Sequence, residues 1–232
     1  MPQQTDKPTS DTPPDGRVLR GEVTYGRVLD AAERCFAATG FDAVTIRQIA
    51  AEAGVTLGVV GFHGGSKETL FRTVLSRRVE TLNKLRREAL AALLDAGGYT
   101  LRDLIDAYIT PYLDIASRGN AQWRAYAQLI ARIVADDRYY AEAKHLYDPV
   151  ATEFMDAMSE LHPAADRHQL ATALTLSVSA MLSIVASRAR IEGLSGHAGP
   201  QTPLGYRRLL LDFCAAGFMQ VLSPERPDTD AR

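Results

Sequence analysis

Apolar residues recur at helical spacing along nearly the whole chain, and no stretch shows the strict two-residue alternation of a half-buried strand. Val28, Leu29, Ala32 and Phe36 share one face of a first predicted helix, Val23–Ala38, which Gly40 ends. Two short helices follow around a tight turn. Thr45 is placed to N-cap the first, Ile46–Ala53, with Ile49 and Ala50 facing inward. Gly54 stands at the turn, where positive φ is needed. Thr56 is placed to cap the second helix, and Val55, Val59 and Val60 give it apolar contacts. Ala50 is small where the helices would cross, and Val60 would plug the angle between them. This is the spacing of a helix-turn-helix.

The remainder reads as longer helices. Ser66 caps a predicted helix from Lys67 to Ala96, striped by Leu75, Val79, Leu82, Ala89 and Leu93 and stopped by Gly97-Gly98. It would span on the order of 40 Å. Further helices are expected over Leu101–Ser117, kinked by Pro111; over Gln122–Ala135; and over Arg138–Leu161, which Asp148-Pro149 would break or kink, a restart with Asp148 as N-cap fitting the break. A long helix over Ala165–Glu192, a loop over Gly193–Pro203 and a last helix over Leu204–Leu222 complete the pattern. The expected fold class is all-α. The divisions are a disordered tail (1–20), a helix-turn-helix domain (21–66), a second helical domain (67–223) and a C-terminal tail (224–232). Arg17 and Arg20 read as a solvated tail or as an arm reaching a minor groove.

The last two predicted helices carry Leu174, Val178, Met181 and Val185, then Leu210, Phe213, Gly217 and Val221, among many small residues. Their apolar surface is broad for one antiparallel pair. Half of a four-helix bundle across a two-fold axis is the expectation, with a purely internal core as the alternative.

Charge sharpens this picture. The net charge of −2 excludes a uniformly basic nucleic-acid coat, but residues 17–90 hold 12 Lys/Arg against 8 Asp/Glu, while residues 91–232 hold 13 against 17. The helix-turn-helix half is the basic half, as a phosphate-facing module should be. No apolar run reads as long enough to cross a bilayer, and the Pro-rich N-terminus shows no signal-peptide pattern, so a cytoplasmic protein with no membrane partner is expected. Cys35 and Cys214 read as core thiols. There is no Gly-rich phosphate loop, His-Glu-x-x-His, Cys-x-x-Cys or Gly-x-Ser-x-Gly, so neither an enzyme nor a cofactor is expected. Asp136, Asp137, His145 and Asp148 do not share one helical face as a metal site would require.

Val28-Leu29-Asp30-Ala31-Ala32, Phe36, Gly40-Phe41, Thr45-Ile46-Arg47-Gln48-Ile49-Ala50, Ala53-Gly54-Val55-Thr56, Gly58, His63 and Ser66-Lys67-Glu68-Thr69-Leu70 together resemble the DNA-binding domain of the tetracycline-repressor (TetR/AcrR) family of transcriptional regulators. The resemblance implies a homodimer joined through its last two helices, with a recognition helix from each subunit in the major groove of palindromic double-stranded DNA. It also implies a small-molecule effector in the C-terminal domain that moves the long helix and releases the operator. Carried onto this chain, it makes Thr45, Arg47, Thr56, Leu57, Gly58, Phe62, His63 and Lys67 the DNA-contacting set. Each polar member also has an ordinary reading as a cap, solvated surface or packing.

The chain departs from the family at Val60-Gly61-Phe62-His63-Gly64-Gly65. Members commonly read Leu-Tyr-(Tyr or His)-His-Phe there, and one branch reads Val-Asn-Tyr-His-Phe-Gly, so Phe62 replaces a phenolic hydroxyl. Gly64 stands where a Phe normally anchors the recognition helix, and Gly61 costs about 1 kcal/mol against Ala. A short, loosely held recognition helix is expected. The second function class is therefore a dimeric binding module of the same fold with weakened or lost DNA recognition. Effector candidates are the bulky residues of the middle helices, Tyr108, Tyr112, Trp123, Tyr126, Leu129, Phe154, Met155 and Met158. They suit a mostly apolar or aromatic molecule, and each is also an ordinary core residue.

Overall fold

A computed structural model describes residues 16–134, 136–196 and 201–223. Its described residues form ten α-helices and two single 3-10 turns, with no strand among them. The helices are α1 (Gly16–Thr39), α2 (Ile46–Ala53), α3 (Leu57–Gly64), α4 (Lys67–Ala96) and α5 (Leu101–Arg118), then α6 (Ala121–Ile133), α7 (Tyr140–Leu161), α8 (Arg167–Ala186), α9 (Arg188–Ser195) and α10 (Arg207–Val221). The expected tails lie outside the described residues except at 16–20. Those residues already belong to α1, so Arg17 and Arg20 sit on a helix and not on an extended arm.

Helices α1–α3 close around Val28, Ala32, Phe36, Ile49, Val60, Leu70 and Val74, all buried. Thr45 caps α2 through a reciprocal box. Its hydroxyl oxygen accepts from the Gln48 backbone N–H, and its own N–H donates to Gln48 Oε1 at 2.8 Å. Gly54 ends α2 with φ of 63°, and Val55 N–H then reaches back to Ala50 O at 3.0 Å. Thr56 occupies the N-cap position of α3 but makes no side-chain capping bond, so its hydroxyl is not spent there.

α4 joins this unit to the remaining helices, packing against α5, α6 and α7 as well as α1 and α3. Three expectations fail in this half. First, of the two outcomes expected at Asp148-Pro149 the break does not occur, since α7 runs through Pro149 as one helix. Proline forfeits one backbone N–H, and Asp148 takes the Tyr140 hydroxyl at 2.8 Å where a restart would have made it a cap. Second, the long helix over 165–192 is two helices, α8 ending at Ala186 and α9 starting at Arg188, with Ser187 as the cap between them. Third, the apolar residues of α8 make it long and apolar enough to cross a membrane by composition. It instead packs on α5, α6, α7, α9 and α10, and Leu170, Leu174, Met181, Leu182 and Ile184 are buried. Leu101 to Arg118 stays one helix through Pro111. Cys35 and Cys214 are free thiols, both pushed above their usual titration range by burial.

Candidate nucleic-acid interface and ligand cavity

The outward face of α2 and α3 gathers Thr45, Arg47, Thr56, Leu57, Gly58 and Phe62, all exposed. Arg47 has no hydrogen bond or ion pair among the described residues. Phe62 is 85% exposed. His63 is half-buried, its ring stacked on Tyr25 with centroids 5.9 Å apart.

Lys67 stands apart from this face. Its ammonium donates to the carbonyls of Phe41 (2.9 Å), Val44 (3.0 Å) and Asp42 (3.3 Å), and it lies 4.4 Å over the Phe41 ring. Three N–H donors therefore meet three carbonyls of the α1–α2 turn, which pins the start of α4 beneath the helix-turn-helix. Arg27 makes a parallel tie from α1, donating to Ala53 O at 2.7 Å.

α3 is short, eight residues, as its glycines predict. Gly64 is buried, and the space a side chain would take there is filled by Leu70, the Cβ position lying 2.5 Å from Leu70 Cδ2. Leu70 supplies from α4 the anchor that position 64 lacks. Gly61, by contrast, faces open space.

A cavity of about 370 Å³ opens between α5, α7 and α8 and the segment after α6. Tyr108, Ile133, Leu174 and Val178 line it, together with Tyr140, Ala143, Lys144, Tyr147, Asp148 and Ala151 of α7. Of the eight expected effector residues only Tyr108 is on its wall. Tyr112, Tyr126, Leu129, Phe154 and Met158 are fully or nearly fully buried in the core instead. The Tyr112 hydroxyl is held by Ala127 O at 2.7 Å and the Tyr126 hydroxyl by Tyr147 Oη at 2.7 Å. Trp123 lies under the Arg78 guanidinium, 4.8 Å from ring to Cζ, and Met155 packs against the core. The α7 residues that line the cavity recur at i, i+3, i+4, i+7, i+8 and i+11. That periodicity is present in the sequence on both sides of Asp148-Pro149.

The cavity wall is tied to α4. Arg86 is buried without a carboxylate partner among the described residues; its Nε donates to Tyr108 O at 3.0 Å and its guanidinium lies 4.0 Å from the Tyr108 ring centroid. One turn earlier, Asn83 donates to Leu146 O at 2.8 Å, and its Oδ1 has no partner among the described residues. Nearer the helix-turn-helix, buried Glu33 of α1 accepts from Arg78 Nε at 3.0 Å on both carboxylate oxygens. Burial lifts its carboxyl above the usual range, against the opposing pull of Arg78. Gln122 of α6 bridges to α1, donating to Asp30 O and accepting from Arg34.

The residues named for dimerisation divide. Leu174, Met181 and Leu210 are buried within the chain, so they are core. Val178 and Val185 are half-buried and Val221 lies at the edge of α10. Phe213 and Gly217 are exposed, as are the apolar Leu176 of α8 and Leu209 and Met219 of α10.

The chain is thus an all-helical protein that bears a helix-turn-helix unit on a helical body with a half-open cavity. Residues 28–74 match the family model for bacterial regulatory proteins of the tetR family, and residues 106–217 match that for the tetracyclin repressor-like C-terminal domain. The chain belongs to the tetracycline-repressor family of transcriptional regulators. It is similar to the HTH-type transcriptional repressor KstR2 of Rhodococcus jostii, with 29% identity over 112 residues; the match spans 48% of this chain and about half (52%) of that relative's length. Among solved structures, a TetR-family regulator from Bordetella parapertussis shares the fold with a TM-score of 0.61 at 17% identity, covering 86% of this chain and 97% of that one. The fatty acid degradation regulator FadR from Bacillus halodurans gives a TM-score of 0.56 at 11% identity, covering 87% of this chain and 100% of that one.

Proposed function

We propose that the chain is a ligand-responsive repressor that binds a palindromic operator as a homodimer in the cytoplasm and leaves it when a small, mostly apolar molecule enters the α5–α7–α8 cavity. The observation that carries this is the connection of the two sites by one helix. α4 is pinned to the helix-turn-helix through Lys67 and to the cavity wall through Arg86 and Tyr108, 19 residues apart on the same helix. A ligand that displaces Tyr108 displaces an acceptor and a ring held by α4, and α4 carries the motion to α3. If the ligand prefers the released form by a factor α, the DNA complex loses RT ln α, typically about 1–3 kcal/mol.

Dimerisation is assigned to the exposed stripe of α8 and α10. Leu176 is 61% and Phe213 68% exposed on one chain, and small neighbours such as Ala216 and Gly217 let helices approach closely. Thr45, Arg47 and Thr56 are the phosphate-facing groups in this reading. Lys67 acts from below, by holding the turn that aims them.

The test is fluorescence anisotropy of the full-length protein with the DNA upstream of its own gene, against a random duplex, at several salt concentrations. Tighter binding to the native fragment, weakening as salt rises, is expected. Equal and feeble binding to both duplexes would favour the binding module without DNA recognition.

A further inference from the structure

The recognition helix is unusual in what it lacks. α3 reads Leu57-Gly58-Val59-Val60-Gly61-Phe62-His63-Gly64, and His63 is its only side chain able to donate or accept a hydrogen bond. That ring is turned onto Tyr25 and half-buried. At about 100° per residue, Leu57, Gly61, Gly58 and Phe62 fall in that order along an outward arc of roughly 140°. The two glycines form its middle, and no atom lies within 4 Å of a Cβ at either. Leu57 and Phe62 form its edges, 52% and 85% exposed.

Base pairs are told apart in the major groove by hydrogen-bond donors and acceptors, with one exception: thymine also presents an apolar 5-methyl group. The outward arc of α3 has no polar side chain with which to read guanine, adenine or cytosine. It has two apolar edges and a backbone floor that nothing shields. Resting on the DNA-binding reading above, we propose that α3 reads its operator through thymine methyl groups. Phe62 and Leu57 supply the apolar contacts, and Gly58 and Gly61 let the helix backbone close onto the groove. The occupant is DNA because the arc starts beside the exposed Thr56, in a helix-turn-helix that also exposes Thr45 and an Arg47 with no ion-pair partner among the described residues. Those polar groups fix register on phosphates, and α3 supplies the sequence preference.

The experiment is selection of full-length protein on a duplex library randomised over about 20 base pairs, two helical turns. The enriched duplex is resynthesised with deoxyuridine replacing thymidine at one position at a time, which removes only the methyl group. The expected result is A·T pairs at the positions under α3, with deoxyuridine at one or more of them weakening binding about 3- to 10-fold. Phe62→Ala, an exposed position that removes no core contact, should lose a similar factor and become indifferent to deoxyuridine at the position Phe62 meets. Uniform affinity across all deoxyuridine duplexes would overturn the inference while leaving DNA binding intact. So would a full methyl penalty retained in both Phe62→Ala and Leu57→Ala. Failure to enrich any sequence would sink the DNA-binding reading itself, and this inference with it.

Discussion

Leu70 of α4 occupies the place of a side chain at Gly64: a Cβ there would lie 2.5 Å from Leu70 Cδ2 and 2.7 Å from its Cγ. The end of the recognition helix is held by this close approach, and the missing aromatic anchor is replaced from the next helix. Gly64→Ala should therefore destabilise the protein by about 1–3 kcal/mol, since Leu70 must leave its rotamer or α3 must lift. Gly61→Ala meets nothing and should stabilise by up to about 1 kcal/mol. Urea titration of the two variants gives opposite signs if the packing is as described; two losses of equal size would contradict it.

Lys67 is predicted to matter without DNA. Lys67→Met keeps the stem over Phe41 but leaves three carbonyls of the α1–α2 turn with no ammonium partner. A loss of about 1–3 kcal/mol in free-protein stability is expected. A variant with unchanged thermal stability and weaker DNA binding would make Lys67 a phosphate contact only.

The apolar stripe on α8 and α10 predicts separable outcomes for neighbouring positions. Phe213→Asp changes an exposed residue and should shift the protein to monomer in sedimentation velocity with the helical spectrum retained. Leu174→Ala opens the core and should cost about 2–5 kcal/mol with no primary effect on association. A Phe213→Asp protein that stays dimeric would move the interface elsewhere.

Glu33 predicts a pH signature. Its carboxyl is raised above the usual range chiefly by burial, so between its unfolded and folded pKa the folded state binds more protons than the unfolded one. Its contribution to stability is therefore fullest below the unfolded value and falls as pH rises through that window. Asp103 and Glu142, held low by Thr100 and Arg72, act in the opposite sense and lose stability as pH falls. The difference between wild type and Glu33→Gln, followed by denaturant titration from mildly acidic to neutral pH, isolates the first effect. A flat difference would remove Glu33 from the account.

The sequence by itself determined the elements whose signals are local. Thr45 with Gln48, Gly54, and Ser66 before Lys67 mark helix ends through bonds spanning a few residues, so α2, the turn and α4 were legible, and with them the family. Burial could not be read the same way. Leu174 and Phe213 are both large apolar residues on helices of similar pattern, yet one is core and the other surface. Only the packing of α8 against its neighbours separates them. The cavity was decided by the path of α7 through Pro149, because one lost backbone bond is tolerated where the helix has tertiary support on both sides. The roles of Lys67 and Leu70 were likewise tertiary: one finds its acceptors more than twenty residues away in the α1–α2 turn, and the other fills a gap at Gly64 that local spacing showed only as an absence.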